Sequence, residues 1–141
     1  MNKNIWSQNN LVQTLQRGGV VIMPTDTIYG IVGQADSKET VERIYKIRER
    51  NERKPCIILI SGFNDLEKFS ILLSGVQKEA LKRMWSKKQE EDRGRPTSIV
   101  LDCPRDEFEY LHRGTKTLAF RLPIDSDLRE LLSKTGPLIA P

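Results

Sequence analysis

Apolar residues along the chain alternate between helical and strand-like spacing, and that alternation predicts the order of elements. Leu11, Val12 and Leu15 lie at helical spacing after Asn9-Asn10, and Gly18-Gly19 follow with helix-ending chemistry, so a first helix is expected there. Val20-Val21-Ile22-Met23 is a continuous apolar run stopped by Pro24. It predicts a buried strand leading into a loop, Thr25-Asp26-Thr27-Ile28-Tyr29-Gly30. Ser37 is a fair N-cap for a second helix from Lys38 to about Lys46, with Val41, Ile44 and Tyr45 as its apolar stripe. Cys56 to Ile60, entered through Pro55, reads as another strand. Val76, Ala80, Leu81, Met84 and Trp85 fit one face of a third helix, and the polar run from Ser86 to Gly94 reads as an exposed loop. Thr97 to Leu101 and Thr117 to Leu122 read as strands. Asp125-Ser126 caps a short helix carrying Leu128, Leu131 and Leu132, which ends at Gly136. The closing segment, Pro137-Leu138-Ile139-Ala140-Pro141, is apolar and strand-like. It is either an edge strand that finishes the domain or a point where the domain is cut.

Strands alternating with helices predict an α/β or α+β domain around a largely central sheet. At 141 residues one domain is the default, and neither a repeat nor a flexible linker interrupts the pattern. Charged residues make up 30% and apolar residues 38%, a folded rather than a disordered mix. No run approaches the ~20 apolar residues of a membrane span, and the N-terminus has no apolar signal core. No membrane partner is expected, and the location expected is cytoplasmic. Cys56 and Cys103 stand far apart outside any CxxC spacing, which excludes a disulfide scaffold and predicts reduced thiols. His112 is the single histidine, so a histidine metal site or a Ser-His-Asp relay is not expected; it reads as a surface residue.

The net charge of +4 is local. Arg43 to Lys54 holds six basic and two acidic residues and accounts for all of it. Such a patch is either a solvated helix end or a site for a small anionic ligand. On a continuing helix, Lys46 and Arg48 would point about 200° apart. If the helix ends near Lys46 and the chain extends toward Pro55, the two fall on one side and act as point charge and fork for phosphate oxygens, with Lys54 as a third cation. The Thr25–Gly30 loop follows a strand, where ligands of open α/β sheets gather; it is either an ordinary polar loop or a hydroxyl-rich binding turn. Arg95-Pro96-Thr97-Ser98 enters a strand with a cation and two hydroxyls. Arg121 interrupts an apolar strand and is either outward-facing or a site residue. There is no GxxxxGK[ST] loop and no GxGxxG.

These segments, taken in order, resemble the YrdC-type threonylcarbamoyl-AMP synthase family. The matching pieces are Gly19 to Gly30, Ile44-Tyr45-Lys46-Ile47-Arg48, Lys54-Pro55, Pro96 to Leu101, Phe120-Arg121-Leu122-Pro123 and Gly136 to Pro141. The resemblance implies a YrdC-like twisted mixed sheet with flanking helices around a basic cavity. It implies a nucleotidyltransferase that joins L-threonine, bicarbonate and ATP, with Mg²⁺, into threonylcarbamoyl-AMP and pyrophosphate. Threonylcarbamoyl-transfer proteins would pass the product to adenosine 37 of tRNA. Carried onto this sequence, Lys46 and Arg48 match the family's catalytic Lys-x-Arg pair. Thr25, Thr27, Tyr29 and Arg121 fall at the substrate pocket, and Lys54, Thr97 and Ser98 join Lys46 and Arg48 at the ATP site.

Two departures stand out. Ser86 to Arg93 separates Trp85 from Gly94, an insertion beside the nucleotide site or a scar in the sequence. The family's Ser-x-Asn after the equivalent of Pro141 is missing, so residues 1–141 are expected to be most of one domain, incomplete at the C-terminal end, with an uncovered strand edge. A non-catalytic module that binds tRNA or double-stranded RNA is the alternative function. A hydrogenase-maturation carbamoyltransferase domain is a further one, disfavoured by the lack of zinc-finger cysteines.

Overall fold

The apolar runs assemble into one mixed sheet with helices on both faces. The computed structural model describes residues 6, 9–25, 29–49, 51–91 and 97–141, with backbone only over 87–91. In chain order the elements are α1 (Asn9–Gln16), β1 (Val21–Pro24), β2 (Tyr29–Gln34), α2 (Lys38–Arg48), β3 (Ile57–Leu59), a 3₁₀ segment (Phe63–Phe69), α3 (Gly75–Glu91), β4 (Ser98–Asp102), α4 (Glu109–His112), β5 (Thr117–Arg121), α5 (Ser126–Thr135) and β6 (Leu138–Ala140). The described strands form a six-stranded sheet in the order β1-β2-β6-β3-β5-β4, with β3 and β5 parallel and the other pairs antiparallel.

Alternation along the central strands sends side chains to opposite faces. Ile58 and Ile139 enter a layer with Val41 and Ile44 of α2, Leu81 and Trp85 of α3 and Leu111 of α4. Leu59 and Leu138 enter the other, with Leu15 of α1 and Leu128, Leu131 and Leu132 of α5. On that second face α1 and α5 cover β1, β2, β6 and β3 but not β4, where Val100 stays 62% exposed. Among the described residues, nothing covers that face beside β5 and β4.

Several expectations are corrected. Tyr29 and Gly30, expected to end a loop, instead open the strand Tyr29–Gln34, which pairs with β1 on one side and β6 on the other. Its Gly33 is required by α2: a Cβ there would lie 2.5 Å from Thr40 Cγ2 and 2.9 Å from Ile44 Cδ1. The closing segment is no edge. β6 sits between β2 and β3, bonded to both, so the uncovered C-terminal strand edge does not exist. Helix α3 continues through Ser86–Glu91, since the Lys, Gln and Glu of that run are good helix formers; residues 92–94 of the expected loop lie outside the described residues. Of its expected apolar face, Leu81 and Trp85 are buried while Val76 and Met84 are exposed. The Trp85 indole N–H donates to the Thr97 carbonyl at 3.0 Å and fixes that rotation. His112 is buried, not superficial. Its Nδ1 accepts from the Gly114 N–H at 3.1 Å, which leaves Nε2–H to donate to the Arg105 carbonyl at 3.1 Å. Cys56 and Cys103 are both buried and form no disulfide. No described helix is long and apolar enough to cross a membrane.

Candidate functional site

Helix α2 decides which cations meet. Ser37 accepts from the Thr40 N–H at its N-terminus, and the helix runs to Arg48, where Glu49 turns left-handed at φ 50°. The expected ending near Lys46 is thus two residues early. Val41, Ile44 and Tyr45 form the buried stripe, and Arg48 follows them at i+7, i+4 and i+3, on the same face. Lys46 is turned about 200° from Arg48. It lines a separate surface cleft with Glu42, Glu49 and Glu52. The expected Lys46-Arg48 pair is therefore not brought together, because the backbone between them stays helical.

Arg48 instead emerges at a cavity of about 190 Å³ where Thr25, after β1, and Tyr29, at the start of β2, meet the ends of β3, β5 and β6. Arg121, the last residue of β5, reaches the same cavity, as do Thr25 and Tyr29. Arg121 and Ser98 oppose each other across β5 and β4, and the Arg121 Nε–H donates to Ser98 Oγ at 3.2 Å. Ile31, Ile57 and Ala140 supply apolar walls. Thr25 follows Pro24, whose carbonyl accepts from the Trp6 indole N–H at 2.8 Å, so the chain entering the turn is tethered. Tyr29 stands at the rim, 67% exposed. Two guanidiniums, a hydroxyl and a phenol over apolar walls make a receptor for a small anion with an apolar body. At about 190 Å³ the cavity falls below the roughly 300–1,000 Å³ of pockets for larger ligands, so a nucleotide would have to extend onto the open sheet face.

The other expected site residues disperse. Ser98 faces the site side of β4 as the partner of Arg121. Thr97, its neighbour, points to the opposite face, where its Oγ1 is buried with no hydrogen-bond partner among the described residues. The Lys54 side chain is exposed and does not line the cavity, and its backbone carbonyl accepts from the Tyr45 hydroxyl at 2.6 Å. Thr27 lies outside the described residues, as do Arg95 and Pro96. Sequence reasoning missed Ile31 and Ile57 as walls; each is the half-exposed neighbour of a buried strand residue, Val32 or Ile58. Among the described residues no group of three or more His, Cys, Asp or Glu could hold a metal ion.

Comparison with known proteins now bears on this geometry. The threonylcarbamoyl-AMP synthase of Pyrococcus abyssi is 29% identical over 133 residues, covering 90% of this chain and 35% of that protein. The threonylcarbamoyl-AMP synthase of Bacillus subtilis is 27% identical over 129 residues, again covering 90% of this chain and 35% of its own length. The crystal structure of P. abyssi Sua5 complexed with L-threonine superposes with a TM-score of 0.68 at 27% identity, over 94% of this chain and 37% of that one. The chain thus spans from about a third to about half of the curated relatives that match nine-tenths of it, 35% to 55% of their length. The Sua5/YciO/YrdC family model, described as telomere recombination, matches residues 13–141, and the chain belongs to that family.

Proposed function

We propose that this chain forms threonylcarbamoyl-AMP and pyrophosphate from L-threonine, bicarbonate and ATP. The observation that carries the reading is the convergence of Arg48 and Arg121 with Thr25 on one small cavity. Its volume suits an amino acid, and the threonine complex of P. abyssi Sua5, a relative of the same fold, supports that choice.

In this reading the threonine carboxylate meets a guanidinium fork, and the Thr25 hydroxyl orients the substrate's polar end. The threonine amine adds bicarbonate with loss of water to give a carbamate. A carbamate oxygen attacks the α-phosphorus, the bond from that phosphorus to the bridging oxygen breaks, and pyrophosphate leaves with its Mg²⁺. Mg²⁺ enters on the ATP phosphates as part of the substrate. Arg48 and Arg121 neutralise charge as it shifts onto the leaving oxygens, so the chain works by positioning and electrostatics without a covalent intermediate. ATP lies along the uncovered face beside β5 and β4, next to Ser98 and Arg121. The product is a mixed anhydride, so transfer proteins that pass its acyl group to a tRNA adenosine are the partners expected, and the cytoplasm is the compartment.

The test is threonine-dependent pyrophosphate release by the purified chain with bicarbonate, Mg²⁺ and labelled ATP. Release that is lost in Arg48→Ala and Arg121→Ala supports the reading. Release that does not depend on threonine, or no release at all, overturns it for this chain.

A further inference from the structure

We propose that Tyr45, Glu42 and Arg113 form a clamp that fixes the last turn of α2 and the returning residues 51–54, and so sets where Arg48 enters the cavity. The three do not line that cavity, and they act on the site only through Arg48. The proposal rests on the reading above for its ligand, but its geometry is independent of it.

The Arg113 guanidinium lies on the Tyr45 ring, with Cζ 3.6 Å from the ring centroid. Its Nη1 pairs with Glu42 Oε1 at 3.0 Å, and its side chain is only 10% exposed. The Tyr45 hydroxyl donates to the Lys54 carbonyl at 2.6 Å. One aromatic side chain therefore joins three segments: α2, the return toward β3, and the turn after α4. Tyr45 and Arg48 are i and i+3 on the same helix face, so the ring that is held is the near neighbour of the guanidinium that is delivered.

As a stabilising device the arrangement is poor. Arg113 Nε and Nη2 are buried with no hydrogen-bond partner among the described residues, and Arg113 itself is left-handed at φ 56°. A buried cation with unpaired donors on an aromatic face costs more than an apolar side chain of equal size. What it supplies is direction: a planar cation on a ring, held by one carboxylate, tolerates little rotation of either partner.

The test uses the whole chain, with L-threonine as the calorimetric probe and amide hydrogen exchange as a second readout. Tyr45→Phe keeps the ring and removes the bond to Lys54; Arg113→Met removes the buried charge at similar volume. Arg113→Met is expected to melt at or above the parent temperature, and Tyr45→Phe slightly below it because the Lys54 carbonyl loses that donor. Exchange over residues 46–54 is expected to quicken, and threonine affinity to fall roughly tenfold, as for a misplaced binding group. Unchanged exchange and unchanged affinity in both folded variants overturn the clamp. If the parent chain binds no threonine, the functional reading fails and exchange alone decides the clamp: faster exchange upholds it, and unchanged exchange overturns it.

Discussion

Arg121 and Ser98 stand directly opposite each other across β5 and β4, and the guanidinium Nε–H donates to the serine Oγ at 3.2 Å. That bond holds the guanidinium in one orientation beside the cavity that Arg121 lines. Ser98 is thereby a positioning residue for Arg121. Ser98→Ala should leave the fold within about 1 kcal/mol of the parent, since the bond lies at an exposed site. It should raise the KM for threonine roughly three- to tenfold with kcat little changed. Steady-state kinetics beside a melting curve would check this, and an unchanged KM would count against the role.

The two cations of the Lys46-Ile47-Arg48 triplet should separate sharply on substitution. Arg48 lines the cavity, whereas Lys46 lines a cleft with Glu42, Glu49 and Glu52 on another side of the helix. Loss of a charge-assisted contact of about 1.5–3 kcal/mol predicts a fall of roughly 10- to 100-fold in threonine affinity for Arg48→Ala. Lys46→Ala should stay within about twofold, as a surface cation flanked by carboxylates contributes little. Isothermal titration of the two variants side by side would reverse the assignment if Lys46→Ala proved the weaker binder.

That contrast shows what local pattern reveals and what it hides. The α2 stripe was legible from Val41, Ile44 and Tyr45, and extending it by one step reaches Arg48; treating the charged triplet as the end of the helix concealed that step. The helix caps at Ser37 and Asp125 were legible because capping is local chemistry. The strand Tyr29–Gln34 was not, since two glycines weaken its strand signal and its partners are β1 and the distant β6. The interior place of Leu138–Ala140 is a pairing across more than a hundred residues to β2, which spacing cannot encode. The cavity follows the same rule: spacing singled out Thr25 and Arg121 one at a time, and only the family resemblance put them at one pocket, because their meeting depends on strand order.

Gly33 links that strand order to the site. A methyl group there would meet Thr40 Cγ2 at 2.5 Å and Ile44 Cδ1 at 2.9 Å, both on α2. Thr40 cannot retreat freely, because its hydroxyl donates to the Gly18 carbonyl at 2.7 Å. Gly33→Ala should therefore push α2 from the sheet and destabilise the fold by about 1–3 kcal/mol. Chemical denaturation would measure the loss. Threonine affinity should fall with it, since Arg48 rides on the displaced helix.

The phenols give a test of the fold that needs no ligand. Burial pushes Tyr45 up to about 12, with the neighbouring Cys56 adding to the rise and Arg113 opposing it. Burial likewise pushes Tyr110 up to about 12, helped by the carboxylates of Asp36 and Glu107. The sign follows from proton counts. Above the ordinary tyrosine value near 10 the unfolded chain releases these protons while the folded chain keeps them. Their share of stability is therefore fully present below about pH 10 and is lost as the pH rises from 10 toward 12. Tyrosinate absorbance should report this directly: at pH 11 the folded chain should show markedly less phenolate than the unfolded chain. Tyr45→Phe and Tyr110→Phe should each remove part of that difference. Equal phenolate in folded and unfolded chains at pH 11 would mean that neither hydroxyl is held as described, by the Lys54 carbonyl for Tyr45 and the Ala35 carbonyl for Tyr110.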